Sequence, residues 1–259
     1  MKDSLDFTGK VVIVTGGGKG VGLGISLAFL SHGATVLICS RSELEALPAA
    51  GDNPAHFIAA DVREVEQINR VVEYAINTWG RLDVLVNNAG GAPHADAATA
   101  SPRFSEKIIA LNLTAPLNFC QAANRVMQTQ PEGGTVINIA SVSGERPSPG
   151  TAAYGAAKAG LLNLTQSLAV EWAPKTRVVA VTCGMVLTEQ AHLHYGNDAG
   201  VAAVSSTVPL GRLATPDDIG NACLFLASPL ASYVSGTSLR VHGGGEKPAF
   251  LDAANTSPS

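Results

Sequence analysis

The 259-residue chain is poor in several features that would assign it to other classes of protein. Its four cysteines, Cys39, Cys120, Cys183 and Cys223, lie far apart and form no C-x-x-C pair, so neither a disulfide framework nor a thiolate zinc site is expected. Free, buried thiols are the reading instead. His192 and His194 are the close pair among six histidines, no third ligand stands nearby, and no metal is expected. A basic surplus is missing: the net charge is −4, which argues against a nucleic-acid partner. No apolar run approaches the ~18 residues of a membrane span. The opening "MKDSLDFTGK" has charges of both signs and no apolar core of a signal peptide, so a cytoplasmic protein without a membrane partner is expected. Linkers and internal repeats are lacking too. With 46% hydrophobic and 15% charged residues, the chain can bury a sizeable core as one domain over 1–259.

What is present alternates. Nearly continuous apolar runs at 11–15, 35–40, 56–61, 82–90, 134–141, 177–184 and 237–241 read as strands buried on both faces. Helical patterns fall between them, near 20–32, 64–79, 103–128, 151–173 and 215–227. Thr215 is the expected N-cap of the last, with Pro216 at its first position. This alternation predicts an α/β fold: a single-domain, doubly wound parallel sheet, Rossmann-like, of about seven strands with helices on both faces. Residues 185–214 contain no clear strand and follow a strand's carboxyl end, where open α/β sheets bind ligands, so they are the candidate substrate lid. Residues 246–259 are expected to be a mobile tail.

Chemistry concentrates in two stretches. "TGGGKGVGLG" (15–24) places six glycines in ten residues behind the strand "VVIV". A strand, a glycine loop and a helix start aim backbone N–H groups and a positive dipole end at one spot, which suits a pyrophosphate. No register satisfies G-x-G-x-x-G; the spacing is Gly16-x-x-x-Gly20-x-Gly22, and glycine alone leaves a bland turn open. The second stretch, "SVSGERPSPGTAAYGAAKAG", places Tyr154 and Lys158 on one helix face and Ser141 at the end of the preceding strand. An ammonium beside a phenol is expected to lower its pKa towards the range useful for proton exchange.

Together, T-G-x-x-x-G-x-G at 15–22, "NNAG" at 87–90, Asn112, Ser141 and the Tyr154/Lys158 pair resemble the short-chain dehydrogenase/reductase family in order and spacing, over about residues 8–245. The resemblance implies an oxidoreductase with Tyr154 as acid/base and Lys158 tuning it and holding the nicotinamide ribose. It further implies that Ser141 orients the substrate oxygen and that Asn112 holds a relay water. Gly16, Lys19, Gly20, Val21 and Gly22 would cradle the dinucleotide, with Asn88, Ala89 and Gly90 as the adjoining wall. Asp61 and Val62 would face the adenine and Thr188 the carboxamide; Asp61 also reads as a possible helix N-cap. The chain departs from the family at Cys183-Gly184 (commonly Pro-Gly), Val179 (Asn) and His242-Gly243-Gly244 (Asp-Gly-Gly).

The second strand ends "LICSRS", with Ser40 and Arg41 and no carboxylate before Glu43. A guanidinium there, with Lys19 in the glycine loop, favours the 2′-phosphate of NADP over NAD. Few charges in 185–214 favour a mainly apolar small-molecule substrate, lipid-like or polycyclic. A 3-oxoacyl-thioester reductase is the neighbouring enzyme reading, and a non-catalytic dinucleotide-binding regulator the reading from another class. The Tyr–Lys spacing of four argues against the divergent enoyl reductases. Small residues Ala152, Ala153, Ala156, Ala157, Ala159 and Gly160 on 151–173, with the helix at 103–128, point to a homo-oligomer, a tetramer.

Overall fold

Period-two alternation within continuous apolar runs decides the architecture. In β1 (Val11–Thr15), Val12 and Val14 pack into one core layer, while Val11 and Ile13 pack into the other. The same split recurs in β2 (Thr35–Ser40), where Val36 and Ile38 oppose Leu37 and Cys39. Such strands need cover on both faces. Helices α1 (Gly20–Ser31) and α8 (Pro216–Ala227) cover the first, with Ile25, Phe29, Ile219 and Leu224. The second is covered by α2 (Val65–Trp79), α4 (Ala115–Met127) and α5 (Ala152–Trp172), through Ile68, Phe119 and Leu168.

The computed structural model describes residues 4–253. A two-residue hairpin, β3 (Ala49–Ala50) with β4 (Asn53–Pro54), precedes β5 (His56–Ala59), and then come β6 (Val84–Asn87), β7 (Gly134–Ser141), β8 (Thr176–Cys183) and β9 (Ser238–Val241). The main sheet has seven strands in the order β5-β2-β1-β6-β7-β8-β9, and every pairing in it is parallel. The chain winds outward from β1 to β5, then returns to lay β6 beside β1, which creates the switch point where doubly wound sheets bind ligands.

One element differs from the sequence expectation. The helix expected over 103–128 divides into α3 (Pro102–Ile109), a π-helical segment (Ala110–Thr114) and α4. Asn112 is the physical reason. Its Nδ2 donates to Ile108 O at 2.9 Å, the carbonyl that its own N–H would claim in an α-helix, and the backbone widens there. The segment 185–214 holds no strand of the sheet, as expected. It holds α6 (Ala191–Tyr195) and α7 (Asp198–Thr207), capped by Asn197, and its ends are tied by a bridge between Val186 and Ala214. Within the expected tail, Ala249–Ala253 forms a short helix, α9, opened by the Leu251 N–H donating to Pro248 O at 3.0 Å. Residues 254–259 lie outside the described residues. Thr215 caps α8 as expected, accepting from Asp218 N while the Asp218 carboxylate accepts from Thr215 N.

Candidate active site

The glycine loop leaves β1 at Gly16, whose φ of 65° is one that an L side chain rarely adopts. Gly22, two turns on, has no room for a side chain: a Cβ would lie 2.5 Å from Asn88 Nδ2 and closer still to Gly16 O. The loop is held from behind. Thr15 Oγ1 accepts from the N–H groups of Asn88 and Ala89 at 2.9 Å each, Asn88 Nδ2 donates to Thr15 O at 2.9 Å, and Ser26 Oγ donates to Gly17 O at 2.8 Å. Thr15 is thus the joint between loop and "NNAG", and it went unassigned in the sequence because its work is done by a hydroxyl facing inward.

Two cavities of about 420 Å³ each lie along the carboxyl edge of the sheet and share Gly16, Lys19, Ala89 and Gly90 as common wall. The outer one takes in Ser40, Arg41, Asp61 and Val62, all expected there, and also Arg63, which sequence reasoning missed. Arg63 grips Asp61 with Nε at 2.9 Å and Nη2 at 2.5 Å, and its own N–H donates to Asp61 Oδ1 at 3.0 Å. Asp61 therefore ties down the turn before α2 and does not cap it; Glu64 occupies the N-cap position. Arg63, with Arg41 further off, holds the Asp61 carboxyl below its ordinary range. Three cations, Lys19, Arg41 and Arg63, thus ring one end of the groove.

The inner cavity brings together Gly20, Val21, Gly22, Asn88, Ser141, Tyr154, Lys158 and Thr188. Ser141 ends β7, and its Oγ accepts from Ser143 N at 3.2 Å. Lys158, one turn beyond Tyr154 on α5, is 4% exposed; its Nζ donates to Ile139 O at 2.7 Å and lies 5.6 Å from the centre of the Tyr154 ring. The expected lowering of the phenol pKa is not what this geometry gives. Dehydration dominates both groups: it pushes Tyr154 up to about 12, against the Ser141 hydroxyl acting in the lowering direction, and pulls Lys158 down to about 8. Burial likewise pushes the Cys183 thiol, in the wall at the end of β8, up to about 12. Thr188 opens α6 by accepting from Gln190 N at 3.3 Å.

Asn112 is the one expected site residue outside both cavities. Fully buried behind Gly90, it donates to Gly91 O at 3.0 Å and accepts from Gly91 N at 2.9 Å, locking the cavity wall to the π-helical segment. The loop from Ser141 to Tyr154 has a further anchor that the sequence did not suggest. Glu145 accepts from Arg240 Nε at 2.8 Å and from the buried Thr182 Oγ1 at 3.3 Å, and Arg146 pairs with Glu246 at 2.6 Å.

A parallel sheet with a glycine-loop groove and a Ser, Tyr and Lys set at its inner end defines a dinucleotide-dependent oxidoreductase site. Residues 16–246 match the family model described as enoyl-(acyl carrier protein) reductase. An uncharacterized oxidoreductase of Mycobacterium tuberculosis (strain CDC 1551 / Oshkosh) is 38% identical over 91% of each chain. A 3-oxoacyl-[acyl-carrier-protein] reductase of Chlamydia muridarum (strain MoPn / Nigg) is 35% identical over 91% of this chain and 96% of its own. The solved structure of a short-chain type dehydrogenase/reductase from Mycobacterium marinum superposes with a TM-score of 0.87 at 30% identity, covering 95% of this chain and 99% of that one. The chain belongs to the short-chain dehydrogenase/reductase family, NAD(P)-dependent oxidoreductases of alcohol and ketone groups. Among the described residues no helix is long and apolar enough to cross a membrane.

Proposed function

We propose that the chain transfers a hydride between NADP(H) and a ketone or secondary alcohol, with Tyr154 as the proton donor to the carbonyl oxygen. The observation that carries this is the meeting of Ser141, Tyr154 and Lys158 on one wall of a cavity whose other wall is the glycine loop. The groove suits a dinucleotide. Its two cavities join at the loop, and Gly90 in their common wall is bare backbone, because a Cβ there would come within 2.7 Å of Asn112 Oδ1 behind it. The bound nicotinamide supplies or accepts the hydride. Lys158 and Thr188 would hold its ribose and carboxamide, Asp61 the adenine, and Arg41 with Lys19 the 2′-phosphate. A phenol pushed up to about 12 keeps its proton at neutral pH, the form that carbonyl reduction requires. Asn112 fixes the wall at Gly91, and Ser141 offers its O–H to the substrate oxygen.

A cytoplasmic homotetramer is part of the proposal. On α5, Ala152, Ala156 and Ala159 remain exposed for a facing helix, whereas Ala157 is buried in its own subunit and Gly160 packs on Leu113. The second reading, a 3-oxoacyl-thioester reductase, draws on the Chlamydia relative. Nicotinamide absorbance with a panel of ketones and acyl thioesters tests the activity: faster turnover with NADPH than NADH on a ketone is expected. Dinucleotide binding without turnover on any of them would leave only a binding protein.

A further inference from the structure

Tyr154 is a wall of two spaces. On one side is the inner cavity; on the other is a slot of about 70 Å³ between the loop 92–100, α3 and the start of α5. Ala92, Pro93, Ala95, Phe104, Ile108 and Ala153 line most of the slot with methyl, methylene and ring carbons, beside Ser105 and Thr151. Ala95 N–H donates to Gly150 O at 2.8 Å, and the His94 ring rests where a side chain at Gly150 would go, so the two loops are stitched together there. A cavity of roughly 150 Å³ is what holds a benzene ring. The slot has less than half of that, so it takes an alkyl arm of about three carbons at most and no ring.

The lid side is different in kind. Leu187 and Leu193, the large apolar side chains of 187–195, are 45% and 80% exposed and do not line the cavity. Glu189, Gln190 and His194 do line it, and among the described residues their side chains make no hydrogen bond to protein. A carboxamide and an imidazole each donate and accept, which matches the two-way hydrogen bonding of a hydroxyl. The Glu189 carboxylate faces the glycine loop instead, 3.8 Å from where a Cβ at Gly20 would lie. The low charge count of 185–214, from which a lipid-like or polycyclic ligand was expected, is thus a poor guide to the few residues that face the substrate.

We propose that the substrate is a small hydroxyketone, or in the reverse direction the corresponding vicinal diol. Its carbonyl oxygen sits at Tyr154 and Ser141, its short alkyl arm fills the slot, and its hydroxyl-bearing arm lies under Gln190 and His194. This rests on the hydride-transfer reading. In reduction the carbonyl carbon gains the hydride, its oxygen takes the proton of Tyr154, and the nicotinamide leaves oxidised.

Steady-state rates with NADPH on 1-hydroxybutan-2-one, butan-2-one, 1-hydroxyoctan-2-one, a steroid ketone and an acetoacetyl thioester test the proposal. The hydroxyl is expected to raise kcat/KM about tenfold over butan-2-one, and the hexyl arm to lower it about tenfold. Gln190→Leu with His194→Leu, both at exposed positions, should bring the kcat/KM ratio of 1-hydroxybutan-2-one to butan-2-one down to about one, whatever the variant's absolute rate. Phe104→Ala should recover the hexyl substrate. Equal rates with and without the hydroxyl overturn the proposal while hydride transfer stands. So does a kcat/KM for the steroid or the thioester at or above that of 1-hydroxybutan-2-one. NADPH binding by fluorescence with no turnover of any ketone overturns the hydride-transfer reading itself, and the proposal with it.

Discussion

The two ends of the groove treat charge in opposite ways. At the outer end Lys19 and Arg41 are exposed, and the tight Arg63–Asp61 pair is only partly shielded, with side chains 31% and 20% accessible. Water remains to screen them, so their contribution is short-ranged, salt-dependent and individually modest. At the inner end Lys158 is almost wholly enclosed, and dehydration moves its proton equilibrium further than any neighbouring charge does. The outer end can select a ligand by charge without changing its own protonation; the inner end is built around protonation state. Salt should therefore act on one and pH on the other.

Removing the phenol is the harshest way to break that contrast. Tyr154→Phe keeps the ring and deletes the proton, and kcat/KM is expected to fall about 10³-fold, within the range for general acid–base catalysis. NADPH affinity, measured by fluorescence titration, should change less than about twofold, since the outer cations are untouched. Residual turnover within tenfold of the parent would remove Tyr154 from its role.

Next in size is the cost of enclosing Lys158. A lysine whose folded pKa is depressed to about 8 holds fewer protons than the unfolded chain between about pH 8 and 10.5, so its contribution to stability rises with pH across that window. It is a full penalty below pH 8, on the order of 3 kcal/mol. Buried thiols run the other way, because Cys39, Cys120 and Cys183, pushed up to about 12, lose stability for the fold as pH climbs above 9. The difference between Lys158→Met and the parent in urea unfolding isolates the lysine. The Met variant's relative advantage should shrink from pH 7.5 to 10, and a pH-independent difference would contradict the assignment.

At the outer end, Arg41→Asp should shift the NADP:NAD ratio of kcat/KM towards NAD about 10- to 100-fold, by exchanging an attraction for a repulsion at the 2′-phosphate. The shift should diminish between 50 and 500 mM salt, unlike the Tyr154 effect. Parent enzyme that prefers NAD would refute the NADP assignment and leave the catalytic wall untouched. The smallest effect is sought in Glu145→Gln, which weakens the tie to Arg240 without removing volume. A severalfold fall in kcat with KM for NADPH unchanged is expected, with Glu145→Asp restoring part of it; unaltered kcat would show that the loop holds its shape unaided.

Much of this was legible in the sequence, for identifiable reasons. The five inner strands could be read because burial on both faces writes a continuous apolar run, the edge strands β5 and β9 by their alternation with helices, and the Tyr154–Lys158 pair because a helix fixes its own spacing. Asn112 was found, but the widened helix around it was not, since that depends on a carboxamide reaching both Ile108 and Gly91. Arg63 stood two residues from an expected site residue and carried no signal, because charge in a sequence has no direction. Composition over 185–214 is directionless in the same way: Leu187 and Leu193 point away from the inner cavity, whereas Gln190 and His194 line it.

The π-helical segment has a consequence for length as well as shape. Such a segment holds one residue more than regular α-helix needs over the same turn. A chain lacking Leu113 could close the gap and run α3 into α4 as one straight rod of ordinary hydrogen bonds. The flanking helices would keep their rotational phase, because the surplus residue and the widening would leave together. What the widening supplies is local: it frees Ile108 O for the Asn112 carboxamide, which also holds the Gly91 peptide behind the cavity wall. A single surplus residue thus ties a helix to the groove without changing how α3 and α4 face their neighbours.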